Sequence, residues 1–143
     1  MISPATHRPI LLVEDNPVDV DLTLRAFKQR NFTTPIEVAR DGEEALAWIP
    51  RWEAGEPRPL VILLDLKLPR MDGLEVLRRL REHEASQDLP VVVLTSSSED
   101  RDMDAAYRLH ANSYIVKPVN FDKFMDVALQ IERYWCLINH RPI

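Results

Sequence analysis

Leu60-Val61-Ile62-Leu63-Leu64-Asp65-Leu66-Lys67-Leu68-Pro69-Arg70-Met71-Asp72-Gly73 is the stretch whose reading decides the fold. Apolar side chains fill residues 60–64 without alternation, a single carboxylate, Asp65, interrupts them, and Pro69 and Gly73 follow. An unbroken apolar run bounded by breakers reads as a strand buried on both faces, as in the interior of a parallel sheet. Asp65 then lies where that strand leaves the core, at the carboxyl edge of the sheet.

Working outward, the same pattern recurs. Ile10-Leu11-Leu12-Val13 is a first buried strand that ends in Glu14-Asp15. Asn16-Pro17 starts a helix, with Asn16 as N-cap and Pro17 at the first helical position. Residues 34–39 read as a second, more exposed strand, and Asp41-Gly42 opens a helix carrying Ala45, Leu46, Trp48 and Ile49. Residues 50–59, with Gly55 and three prolines, read as a loop. After the central strand, Met71-Asp72-Gly73 begins a helix with Leu74, Leu77 and Leu80 on one face. Val91-Val92-Val93-Leu94 is a fourth strand, ending in Thr95-Ser96-Ser97-Ser98, and a helix is predicted over residues 99–110. Ser113-Tyr114-Ile115-Val116 is a fifth strand, ending in Lys117-Pro118, and a last helix is predicted over residues 121–138. Strand and helix alternate five times, so the chain is α/β, with a parallel sheet and helices on both faces.

A chain of 143 residues with 45% apolar and 29% charged residues is expected to form one soluble domain. The net charge of −5 argues against a nucleic-acid or anionic-membrane partner. Every long segment is interrupted by charge, so no membrane span is expected, and residues 1–9 lack the apolar stretch of a signal peptide. Cys136 is the single cysteine, so no intrachain disulfide forms and a cytoplasmic setting is expected.

Parallel strands end on one edge, and open α/β sheets bind ligands there. Topology therefore brings Glu14, Asp15, Asp65, Thr95 and Lys117 together from distant parts of the chain. Each alone has an ordinary explanation, since polar residues routinely end buried strands; it is their convergence that points to a site. Clustered carboxylates stay ionised only beside a cation, and an oxygen-seeking ion such as Mg²⁺ suits them. No Cys or His lies near these strand ends, which argues against zinc. A metal-held Asp65 beside an ammonium and a hydroxyl is equipped to attack a phosphoryl group.

Val13-Glu14-Asp15-Asn16, Leu63-Leu64-Asp65 through Asp72-Gly73, Val93-Leu94-Thr95 and Tyr114-Ile115-Val116-Lys117-Pro118 together resemble the receiver domain of two-component response regulators. The resemblance covers residues 9–138 and implies a flavodoxin-like (βα)5 receiver with strand order 2-1-3-4-5. It implies that Asp65 accepts phosphate from a sensor histidine kinase. Asp15, Asp65 and the Lys67 backbone carbonyl would bind Mg²⁺ directly, with Glu14 acting through water. Thr95 and Tyr114 would be a switch pair, the ring rotating into space that Thr95 vacates. Lys117 would contact the phosphate and precede a cis peptide at Pro118. Lys67 and Ser97, flanking the site, would tune dephosphorylation. Leu109-His110-Ala111-Asn112, the length at 50–59, and the stretches 119–124 and 131–135 resemble the stand-alone regulators of phytochrome-type photosensor kinases.

Two other classes fit the architecture less well. A haloacid-dehalogenase-type phosphatase needs a second aspartate two residues after its nucleophile, and here Lys67 stands there. A flavodoxin-like cofactor binder needs a phosphate-accepting first loop, which Glu14-Asp15 would repel. No helix-turn-helix, zinc module or basic stripe accompanies the receiver pattern, so no DNA-binding output is expected. Signal is expected to leave through a surface to a downstream protein, the alternatives within this class being a phosphorelay intermediate or a phosphate sink for the kinase. The last helix carries Phe121, Phe124, Tyr134, Trp135 and Ile138 within an apolar band broader than one core-facing stripe, which predicts a homodimer through that helix and the neighbouring region 99–117. His7, His83, His110 and His140 read as surface or packing residues.

Overall fold

A computed structural model describes residues 8–29 and 34–139; the lead-in over residues 1–7, Arg30 and His140 lie outside them. The strands are β1 (Ile10–Val13), β2 (Ile36–Ala39), β3 (Val61–Leu64), β4 (Val91–Thr95) and β5 (Ser113–Val116). The helices are α1 (Pro17–Gln29), α2 (Gly42–Leu46), α3 (Trp48–Glu53), α4 (Gly73–Glu82), α5 (Asp100–Arg108) and α6 (Phe121–Ile131), the last continuing as a π-helix over Glu132–Ile138. All strand pairs are parallel, in the order β2-β1-β3-β4-β5.

Burial explains why the three central strands are written without alternation. Leu11, Val13, Ile62, Leu64, Val91 and Val93 point to one side, into a cluster with Ile49, Trp52, Val76, Leu77 and Leu80. Ile10, Leu12, Val61, Leu63, Val92 and Leu94 point to the other, against Val20, Phe27, Phe124, Met125, Ala128 and Ile131. With helices on both faces, each strand position must be apolar whichever way it points. The edge strands are covered less: β2 alternates between half-buried and exposed before Ala39, and β5 ends exposed at Val116.

Local signals set the helix starts. Asn16 Oδ1 accepts from the Val18 and Asp19 amides at 2.9 and 3.4 Å, and Pro17 gives up no needed donor at the first position. Asp41, Asp72 and Asn120 cap α2, α4 and α6 in the same way. Gly73 is required by close approach: a Cβ there would lie 2.3 Å from the Asp65 carbonyl oxygen and 2.6 Å from the Leu66 Cα. The Gly73 amide donates to the Leu66 carbonyl at 3.0 Å, closing the loop onto the end of β3.

Three sequence expectations need correction. The second strand begins at Ile36 rather than at residue 34. Residues 50–53 are helical, not loop, because Pro50 falls in the first turn of α3, where its missing donor has no partner to lose. That extra turn buries Trp52, stacked on Trp48 with 6.3 Å between ring centroids, while the Arg51 guanidinium lies 3.9 Å from the Trp48 ring centre. The last helix widens after Ile131 into a π-helix whose residues are none of them buried.

The end of α5 has a measurable consequence. His110 adopts φ 64°, and its amide donates to the Tyr107 carbonyl while that of Ala111 donates to Ala106, each at 3.0 Å. This is the Schellman closure, which favours glycine at the left-handed position. His110→Gly is expected to raise stability by about 0.5–1 kcal/mol, from relief of the left-handed strain. Urea denaturation checks this, and an unchanged or lowered midpoint contradicts it.

Candidate functional site

The sheet delivers the site residues to one edge through its own ladder. The Glu14 amide donates to the Ala39 carbonyl and the Asp65 amide to that of Val13, both at 3.0 Å, while Lys117 donates to Thr95 at 2.7 Å. Each strand's exit is thereby fixed to its neighbour's. Glu14, Asp15 and Asp65 each place a carboxylate oxygen within 4.8 Å of the other two. Glu14 and Asp65 are 2% and 6% exposed and Thr95 is fully buried, whereas Asp15 reaches solvent.

Lys117 crosses this cluster. Its Nζ donates to Glu14 in a short contact, to Asp19 Oδ2 at 3.0 Å and to Asp65 Oδ2 at 3.4 Å. Burial works against the lysine charge, but the hydrogen bond to Glu14 and the fields of Asp65 and Glu14 outweigh it and hold its pKa above the ordinary range. Glu14 responds differently. Burial raises its pKa from 4.5 to about 7; the Lys117 hydrogen bond opposes this, and Asp65 adds repulsion. One ammonium thus leaves the carboxylates undercompensated. Their donor set is all hard oxygen, which fits Mg²⁺.

The loops beyond the strands complete the arrangement. The Lys67 amide donates to Asp65 Oδ1 at 3.2 Å, and the Lys67 side chain is exposed at the mouth of the site. Thr95 Oγ1 accepts from the Ser97 amide at 3.4 Å, and the Tyr114 hydroxyl donates to the Ser97 carbonyl at 2.9 Å. The two members of the expected switch pair therefore meet at Ser97.

The family model of the response regulator receiver domain matches residues 10–129. The chain belongs to that family. This receiver is 43% identical over 134 residues to the "Probable methanogenesis regulatory protein FilR2" of Methanothrix harundinacea, across 93% of this chain and 86% of that protein. It is 38% identical over 128 residues to response regulator Rcp1 of Synechocystis, across 88% and 87% of the two chains. The Mn²⁺-bound crystal form of Rcp1 superposes with a TM-score of 0.84 at 36% identity, covering 95% and 99%. The phosphorylated cyanobacterial phytochrome response regulator RcpA superposes with a TM-score of 0.87 at 36% identity, covering 96% and 99%. The likeness to stand-alone phytochrome regulators and the flavodoxin-like strand order are both borne out.

The five residues predicted from strand ends, Glu14, Asp15, Asp65, Thr95 and Lys117, all come to this edge of the receiver. Asp19 was missed. It sits on the first turn of α1, where an acidic residue is ordinary, and only the tertiary contact with Lys117 gives it a role. The peptide before Pro118 is trans, not cis, as are all described peptide bonds; trans is the lower-energy isomer and the chain passes into α6 from it. The residues expected at an interface divide. Phe121, Tyr134 and Ile138 are exposed, but Phe124 is 8% exposed in the core and has no surface to offer. Trp135 is half-buried against the same core cluster. Among the described residues His83 and His110 are exposed, and no helix is long and apolar enough to cross a membrane.

The Glu14 shift fixes a pH dependence. In metal-free receiver the folded state keeps a proton on Glu14 that the unfolded chain loses above 4.5. This contribution to stability is full below about pH 4.5 and is lost as pH rises through about 7. The expected loss is on the order of 1–3 kcal/mol in chelator-treated protein and is absent from Glu14→Gln. Added Mg²⁺ should restore more stability at pH 8 than at pH 5. Urea midpoints across pH test this, and identical profiles for the parent and Glu14→Gln contradict it.

Proposed function

We propose that this receiver accepts a phosphoryl group from a sensor histidine kinase on Asp65 and passes the signal on by protein–protein contact. The convergence of Asp65 with Asp15, Glu14 and Lys117 carries the reading. An Asp65 oxygen attacks phosphorus as the N–P bond of the kinase phosphohistidine breaks, and the imidazole leaves with the electron pair. Asp15, Asp65 and the Lys67 carbonyl would hold Mg²⁺, with Glu14 behind a bound water. When bound, the ion offsets charge on the phosphoryl oxygens during transfer. Lys117 supplies a second positive contact, and the Thr95 hydroxyl supplies a donor that draws Thr95 toward the phosphate. Lys67 and Ser97 border the path of water and set the phosphate lifetime.

Phosphatase turnover is disfavoured by Lys67 itself: the position where a second carboxylic acid would protonate a leaving group carries an exposed ammonium. The likeness to Rcp1 and RcpA favours a phytochrome-type kinase as donor, and a cytoplasmic setting accords with such a partner. Incubation with Mg²⁺ and acetyl phosphate is expected to add one phosphoryl group by mass, and none to Asp65→Asn. A folded parent that takes up no phosphate from either acetyl phosphate or a phosphorylated kinase overturns the proposal.

The output surface lies beside the last helix. A groove of about 460 Å³ runs between β5 and the last helix, lined by Ile115, Val127, Ile131, Tyr134 and Trp135. Leu137 and Ile138 lie beyond it, 71% and 61% exposed. A second copy of the receiver covering this face would bury them, so a homodimer is expected. Light scattering of the parent against Ile138→Glu tests this: the parent should run as a dimer and the variant as a monomer. A parent that stays monomeric at high concentration contradicts the dimer.

A further inference from the structure

Three groups of Ser97 make contacts, and two of them join the expected switch pair. Its amide faces Thr95 and its carbonyl accepts from Tyr114. The third is its hydroxyl, which donates to Asp102 Oδ2 at 2.5 Å and accepts from the Glu99 amide at 3.3 Å. Ser97 is 8% exposed, and Asp102, on the first turn of α5, is half-buried. A charge-assisted hydrogen bond of this length is among the stronger ones a side chain makes. It commits the single Ser97 proton to a group outside the phosphate site, and it ties the loop after β4 to α5.

We propose that Asp102 is a positioning residue for the phosphate site, acting through Ser97. The proposal rests on Asp65 as phosphoacceptor. In hydrolysis a water oxygen bonds to phosphorus as the bond from Asp65 Oδ breaks. The carboxylate is regenerated, inorganic phosphate leaves, and the water proton passes to a phosphate oxygen. With its hydroxyl held by Asp102, Ser97 does not orient that water. The same bond keeps the Ser97 carbonyl under the Tyr114 hydroxyl, so Asp102 also steadies the aromatic member of the switch. Removing the carboxylate frees a buried hydroxyl beside Thr95 and loosens the loop, and both effects shorten the life of the acyl phosphate.

The test is a double-mutant cycle on the full chain, phosphorylated with acetyl phosphate and Mg²⁺, with folding checked by circular dichroism. Asp102→Ala is expected to shorten the phosphate half-life about threefold or more, and to have no further effect on Ser97→Ala, because a residue acting through another loses its effect with it. Asp102→Asn, whose amide oxygen still accepts from Ser97, should stay within about twofold of the parent. A half-life unchanged or lengthened in Asp102→Ala, or an equal change in both backgrounds, overturns the proposal. A second readout needs no phosphate. In protein carrying ¹³C-tyrosine, the Tyr114 ring signals, assigned through Tyr114→Phe, should shift in Asp102→Ala and hold in Asp102→Asn. Ring signals that do not move in Asp102→Ala overturn the tether even if the parent takes up no phosphate, a result that would sink the Asp65 reading separately.

Discussion

The structure depends on one ammonium set among carboxylates. Lys117 reaches Glu14, Asp19 and Asp65 at once, from a position that burial makes unfavourable for a lone charge. Removing one partner from a buried ion pair costs on the order of 3–5 kcal/mol, so these groups constrain one another strongly. The balance is nonetheless incomplete. At Glu14, burial outweighs the Lys117 hydrogen bond and leaves the carboxyl titrating near 7. One ammonium among several carboxylates leaves the cluster short of positive charge, a condition that suits a cation and, on the proposed reading, a phosphoryl group. What keeps so repulsive an arrangement in place is the backbone ladder of the sheet, which fixes the exits of β1, β3, β4 and β5 against their neighbours.

Much of this was legible in the sequence, because burial on both faces leaves a coarse imprint. Residues 60–64 and the runs in β1 and β4 have no polar position, and each ends abruptly in a group that carries chemistry. The parallel sheet and the meeting of Glu14, Asp15, Asp65, Thr95 and Lys117 follow from that, whereas the order of strands came from the resemblance to the receiver family. Contacts depending on the last turn of a helix or on rotamers left no such trace. Pro50 reads as a breaker unless its position in a first turn is known, so the burial of Trp52 went unseen. Asp19 and Asp102 occupy first-turn positions where an acidic residue is favoured by the helix dipole anyway. Their link to Lys117 and Ser97 exists only in three dimensions.

The last helix shows the same limit from the other side. An apolar band wider than one stripe was read as a surface, yet Phe124 belongs to the core and Trp135 leans on it. Period alone assigns residues to a face but does not say how wide that face must be. Here α6 fills the space beside α1, and the wider turn after Ile131 carries Tyr134, Leu137 and Ile138 outward. Core and surface share one apolar band, divided by geometry rather than by composition.

The contact at Gly73 gives the site a rigid side and a yielding side. A hydrogen atom is the only side chain that fits against the Asp65 carbonyl, so the start of α4 is wedged against the backbone that carries Asp65. Across the site, Thr95, Ser97 and Tyr114 are joined by hydrogen bonds rather than by a steric wedge. Under the proposed function, a rearrangement beginning at Asp65 would be blocked toward α4 and would pass toward β5. If the proposed switch operates from Asp65, the molecule would act as a one-way lever, whose free arm is the face formed by α5, β5 and α6.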